Sequence, residues 1–371
     1  MRSAIDPATF PEPLRALAAK VRDRVRLDEA DALHALTTPH VLHLGRLADA
    51  VRRELHGDVA YYNRNRHINP TNVCVYTYNC KFCSFAALKD EPHAWQMSHE
   101  EVYRHAAEQG GDQATEFHIV GGLHPDLSLA WYEEMLRGLR ERFPKAHLKA
   151  FTAIEIGWFA KREKLSIAEV LRRLTAAGLG SLPGGGAEIF HPEVRQVICD
   201  GKLDAEEWIE VHRVAHGMGV KSNCTMLYGH VEQPVHKVDH WMRLRRLQDE
   251  TGGFNAFIPL AYHPENNYLG LEYQTTGLDD LRHLAASRLV LDNIPHLKAY
   301  WVMVTPKLAQ VALSFGADDL DGTVVEETIY HMAGAETAQL MPRSELERII
   351  REAGFRPVER DTLYNPISRA A

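Results

Sequence analysis

The 371-residue chain has no run of the roughly 18–20 apolar residues that a membrane span requires. Its opening, MRSAIDPATF, lacks the apolar core of a signal peptide. The expectation is a cytoplasmic protein with no membrane partner. Cysteine is scarce and odd in number, five in all, which is not the framework of a secreted, disulfide-stapled domain. Basic residues are outnumbered, 42 Lys and Arg against 50 Asp and Glu, and the net charge of −8 argues against nucleic acid as a partner. No low-complexity tract or Ser/Gly linker marks off independent domains. No GxGxxG follows an early strand, which removes the fingerprint of a dinucleotide fold. What is present is a globular composition, 45% hydrophobic and 25% charged.

Residues 1–60 read as a helical extension, since PEPLRALAAKVRDRV and VLHLGRLADAVRREL carry apolar residues at three- and four-residue spacing. From residue 61 to 371, short β-type runs alternate with helical stretches. The runs fall at 66–74, 115–122, 147–153, 178–185, 220–227, 254–261, 296–303 and, more weakly, 316–323. Helix starts between them are marked by capping boxes, Ser98 with Glu101 and Asp204 with Glu207. Eight β/α units imply an α/β protein, a (β/α)8 TIM-type barrel; an open doubly wound sheet is the rival. In a barrel the active groups gather at the C-terminal ends of the strands. Cys74, Gly121, Thr152, Gly184, Thr225, Tyr262 and Trp301 should then share one rim.

Three of the five cysteines, Cys74, Cys80 and Cys83, lie within ten positions as C-x5-C-x2-C, after the first run. A trio of thiolates with no nearby fourth suits a [4Fe–4S] cluster in which one iron lacks a protein ligand and is open to a small molecule. A zinc site completed by His67 or His93 fits the spacing as well, and would make this a zinc-binding barrel. Cys224, inside a strand, and Cys199 read as inert buried thiols.

Several other rim positions carry chemistry. Gly121 and Gly122 permit close backbone approach to a ligand. Thr152 and Glu155 could bond ribose hydroxyls or an ammonium, or Glu155 could simply cap the next helix. The PGGG turn with Gly184 and Gly185 leaves room for a ligand. Glu188 and Arg195 follow it, Arg195 as a candidate carboxylate partner by its fork geometry. Tyr228, His230, Asn266 and Asn267 are candidates for substrate binding, and His230, Tyr262 and His263 for catalysis.

These motifs resemble the radical S-adenosylmethionine (SAM) enzymes, in which a three-cysteine motif after strand one holds a [4Fe–4S] cluster whose open iron chelates SAM. The commonest spacing there is C-x3-C-x2-C, two residues shorter in the first gap. Phe82 matches the position beside the adenine, and the Gly121–Gly122 segment the one that meets the SAM amino group, with Leu123 in place of the usual acid. From about residue 27 to 365 the chain is similar to the branch of menaquinone futalosine-pathway enzymes and the deazaflavin side-ring synthase, through YYNRNRHINPTNVC, HIVGGLHP, LPGGGAEIF, TMLYGH and the segment from YWVMVTPK to YHMAGA. The resemblance implies SAM and a [4Fe–4S] cluster as cofactors and a reductase or flavodoxin-type electron donor. It also implies an aromatic enol-ether substrate, 3-[(1-carboxyvinyl)oxy]benzoate, to whose double bond the 5′-deoxyadenosyl radical adds. A sister cyclase of the branch abstracts hydrogen instead.

Overall fold

The computed structural model describes residues 2–367. Among these residues nine parallel strands are formed: β1 Val59–Asn63, β2 Asn65–Ile68, β3 Glu116–Ile119, β4 His147–Ala150, β5 Ser222–Tyr228, β6 Phe254–Ala261, β7 His296–Leu297, β8 Asp319–Gly322 and β9 Arg356–Glu359. They pair as β8-β1-β9, β2-β3-β4 and β5-β6-β7. Parallel bridges join these three sheets: Lys149 to Ser181 and Leu182 to Ser222 between β4 and β5, Lys298 to Asp319 between β7 and β8, and Arg66 to Val325 between β8 and β2. The sheet therefore closes on itself, which is the (β/α)8 barrel and not the open sheet.

Three sequence expectations are corrected. The run at 178–185 forms only the isolated bridges of Ser181 and Leu182, because Pro183 has no N–H to give a ladder. The run at 296–303 is a strand only over His296–Leu297; Trp301–Val304 is a helical turn, buried throughout. A short apolar run does not by itself distinguish a buried strand from a buried helix turn. The boundary at residue 60 falls inside β1, which pairs with β8 on one edge and with β9 on the other. Neither β1 nor β9 was anticipated. β9 takes the edge of the first strand below the point where β3 takes it over.

The segment read as an extension contains helices Glu12–Arg22, Glu29–Thr37 and Val41–His56. Their apolar faces (Leu14, Leu17, Leu44, Leu47, Val51) belong to the same hydrophobic core as the barrel. They pack on the flank of the barrel, against helices Pro234–Thr251 and Gly277–Val290. Both anticipated capping boxes form, starting helices His99–Ala107 and Ala205–Gly217. Among the described residues no helix is long and apolar enough to cross a membrane.

Candidate active site

The C-terminal ends of the strands surround a cavity of about 290 Å³, and all three clustered cysteines face it. The loop that carries them is fixed by its own polar side chains. Asn72 donates to the His93 carbonyl at 3.0 Å and accepts from the Trp95 N–H at 2.7 Å, and Thr71 donates to the Trp95 carbonyl. The Cys80 backbone bridges to that of Cys199. Sulfur meets backbone donors: Tyr76 N–H points at Cys74 Sγ at 3.4 Å, and the N–H groups of Phe85 and Ala86 at Cys83. Burial pushes the Cys80 and Cys83 thiols up, so ionised sulfur here needs a compensating cation.

A single tetrahedral zinc would hold its sulfurs about 3.8 Å apart, from Zn–S bonds of about 2.3 Å. The three sulfurs do not all lie within 4.8 Å of one another. Among the described residues neither candidate histidine completes it. His67 stacks on His118 deeper in the barrel, and His93 is exposed beside Glu91. The wider spread suits a cubane, whose corners keep the thiolates farther apart, and the donor set of three sulfurs with inward N–H groups fits that group. The zinc reading is set aside on this geometry.

Glycine is required at two points of the wall. A Cβ on Gly122 would sit 2.3 Å from the Val73 carbonyl oxygen. One on Gly184 would sit 2.7 Å from the Cα of Cys224, so the PGGG turn lies directly against β5. Thr152 caps helix Ala153–Glu163 in a reciprocal box with Glu155. The Glu155 carboxylate accepts from Thr152 N–H at 2.7 Å and Thr152 Oγ1 at 2.9 Å, and also from Gly121 N–H at 3.2 Å. It thus ties the ends of β3 and β4 together. Burial outweighs those bonds and raises its pKa to about 7.

Of the residues singled out in the sequence, His67, Cys74, Cys80, Phe82, Cys83, Gly121, Gly122, Leu123, Thr152, Glu155, Gly184, Gly185, Glu188 and Thr225 share this cavity. The others do not. The guanidinium of Arg195 is spent on backbone carbonyls, those of Ala187 at 2.7 Å, Ile189 at 3.3 Å and Leu203, so it is a strut and not a carboxylate receptor. Tyr228 is buried and donates to Asp280 at 2.8 Å. His230 is buried between the Leu227 carbonyl and Glu232. Tyr262 and His263 line a separate groove beside helix Gly277–Val290. Tyr262 donates to Asn267, whose amide holds the His263 carbonyl; Asn266, at φ +55°, donates to the Met332 carbonyl. These four hold a turn. Trp301 is buried and donates to the Gly322 carbonyl.

Sequence reasoning missed other wall residues. Lys202 pairs with Glu188 at 2.6 Å in near-complete burial, its pKa raised by the acid against the effect of burial, and its ammonium stands 5.5 Å from the Phe82 ring centre. Deeper down are His118, Lys149, Asp321, Tyr300 and Tyr330, next to His67, which the sequence offered only as a zinc ligand. Lys149 pairs with Glu116 at 2.5 Å, and Lys298 with Asp321. Both lysines lie in the tetrapeptide HLKA, which occurs at 147–150 and again at 296–299. A lysine inside an apolar strand was the available signal.

Residues 68–244 match the family described as the radical SAM superfamily, and residues 251–370 match the CofH/MqnC C-terminal region. An aminodeoxyfutalosine synthase of Thermus thermophilus is 46% identical over 99% of this chain and 98% of its own. The chain belongs to the radical SAM superfamily. A second aminodeoxyfutalosine synthase, from Streptomyces coelicolor, is 46% identical over 94% of this chain and 93% of its own. The fold is shared with the FeFe-hydrogenase maturase HydG of Carboxydothermus hydrogenoformans, at a TM-score of 0.74 and 16% identity over 95% of this chain and 81% of that one. As a superfamily member the protein is a SAM-dependent enzyme that uses a [4Fe–4S] cluster.

Proposed function

We propose that this enzyme is an aminodeoxyfutalosine synthase of menaquinone biosynthesis. It joins the 5′-deoxyadenosyl group of SAM to 3-[(1-carboxyvinyl)oxy]benzoate, with rearrangement and loss of the vinyl-side carboxyl group, to give 6-amino-6-deoxyfutalosine. The observation that carries this reading is the near full-length identity to enzymes of that name. Cys74, Cys80 and Cys83 would hold the cluster. When bound, the cluster supplies one electron to the sulfonium of SAM, releasing methionine and the adenosyl radical.

The remaining work belongs to the chain. Phe82 offers a ring for the adenine. The Gly121–Gly122 backbone approaches the amino-acid end of SAM, with Glu155 locking it in place. Gly184 and Gly185 make room between β4 and β5, and Lys202 with Glu188 closes the wall next to Phe82. The apolar lining and the buried barrel below exclude water from a reactive carbon radical. A flavodoxin-type protein or its reductase is the electron donor, and the enzyme acts in the cytoplasm.

The test is anaerobic incubation of reconstituted enzyme with SAM, dithionite and the enol ether, read by mass spectrometry. The expected product carries both the adenosyl group and the aromatic acid. Free 5′-deoxyadenosine as the sole nucleoside product would assign the hydrogen-abstracting reaction of the sister cyclase instead.

A further inference from the structure

Below the cavity rim three adjacent strands place one polar residue each in register. His67 on β2 is opposite His118 on β3, which is opposite Lys149 on β4. All three face the cavity. They lie three residues before Gly121 and Thr152 on β3 and β4, roughly 10 Å deeper at about 3.3 Å per residue. The two imidazoles stack, with ring centres 4.6 Å apart and planes within 10°. His67 is 6% exposed, and among the described residues its buried Nε2 has no partner. A buried imidazole nitrogen left unpaired is costly unless a ligand completes it. Among the described residues nothing else takes the His118 ring nitrogens.

The charged groups around this row already have partners. Lys149 is paired with Glu116 at 2.5 Å, which uses one of its three donors. Asp321 is held by Lys298 and by Asn65 at 3.0 Å. Glu327 accepts from the Tyr330 N–H and from His331. Burial and the Lys149 charge keep His118 well below the usual histidine range, and burial lowers His67. Each ring is neutral and brings one N–H donor. Among the described residues the floor therefore brings free donors, while each carboxylate beside it, Glu116, Asp321 and Glu327, already has partners.

We propose that His67 and His118, with Lys149 beside them, form the subsite that receives the ring carboxylate of the substrate. This rests on the reaction proposed above and fixes the direction in which the substrate lies. The double bond must meet the adenosyl carbon at the rim, where the cysteines and glycines are. The benzoate carboxylate is at the other end of the molecule and reaches down the barrel. The floor reads that end, so the enzyme selects an aromatic ring bearing an anion over the same ring bearing a neutral group.

The test uses cluster-loaded enzyme with SAM and two probes: 3-[(1-carboxyethyl)oxy]benzoate, which has no double bond to react, and its counterpart with a carboxamide in place of the ring carboxylate. Binding is measured anaerobically by calorimetry. Wild type should prefer the acid by about 10-fold or more, as one or two charge-assisted hydrogen bonds allow. H118F and H67F, which keep a stacked ring and remove its nitrogens, should weaken the acid about 10- to 100-fold and the amide less than about 3-fold. H118Q, which restores a donor, should recover part of the preference. Iron content and melting temperature check that each variant is folded and loaded, and H118Q is read alone if the Phe variants do not fold. Variants that bind the acid like wild type, or lose acid and amide equally, overturn the subsite. Wild type that makes the adduct yet shows no preference for the acid overturns the subsite and leaves the reaction standing. Wild type that neither binds the acid nor converts the enol ether overturns both.

Discussion

At the rim of the barrel the groups facing the cavity hang from loops and turns: three cysteines within ten residues, a glycine pair, a glycine triplet, and a threonine and a glutamate within one helix cap. At the other end the interior is spanned by ion pairs drawn from distant parts of the chain. Arg360 pairs with Asp319 at 2.5 Å, and Arg288 with Asp318 at 2.5 Å, all four side chains almost wholly buried. The rim is locally encoded and open to ligands, so its residues can change without unfolding the barrel. The bottom is encoded by strand register, and each charge there depends on a partner that only the closed sheet supplies. One end is arranged for chemistry and the other for closure.

That contrast can be broken most directly at Cys80. C80A should lower iron from about four per chain to a trace and abolish adduct formation, while the melting temperature of the iron-free protein stays within a few degrees of wild type. Iron content, visible absorption and product mass read it, and retained turnover would refute the cluster assignment. R360M should do the reverse. It leaves Asp319 buried without its cation and should cost about 3–5 kcal/mol in denaturant unfolding. Folded R360M should still load iron.

Gly184 tests whether rim and strand are coupled. In G184A the new methyl presses on the Cys224 backbone, which cannot yield as a flexible side chain would. A loss of about 1–3 kcal/mol is expected, together with weaker SAM binding in equilibrium dialysis. Glu155 tests the rim by pH. Its folded pKa of about 7 lies above the ordinary carboxylate range, so the folded chain binds the extra proton between those values. Its contribution is fully present below that range and is lost as pH rises through about 7. Without SAM, the stability of wild type relative to E155Q should fall by about 2 kcal/mol from pH 5 to pH 8. A flat difference would show that the carboxyl is not buried as described. The smallest effect belongs to C224A. It sits in β5 with no role at the rim, and should keep full iron and product formation while losing about 1 kcal/mol or less.

The legibility of the molecule follows the same division. The cysteine trio, the glycine segments and the capping boxes are short-range patterns, and each was readable because its function needs neighbours in sequence. The helical turn at Trp301–Val304 was not, since a short apolar run is compatible with either backbone. Arg195 and Tyr228 misled because a polar residue after a strand can face the cavity or turn back to the backbone, and sequence does not say which. Lys149 and Lys298, two charges inside apolar runs, were visible but unread.

The sequence by itself determined the thiolate trio as a metal-ligand set and the alternation of strands and helices, because ligand spacing and hydrophobic period are properties of adjacent residues. Only the tertiary structure decided which side chains face the cavity. It brought His67, His118 and Lys149 into one row and gave Glu116, Asp319 and Asp321 their cations. The reason is physical: in a closed parallel sheet the register between strands, set by contacts across about 30 to 300 residues of chain, selects each neighbour, and no local pattern carries that information.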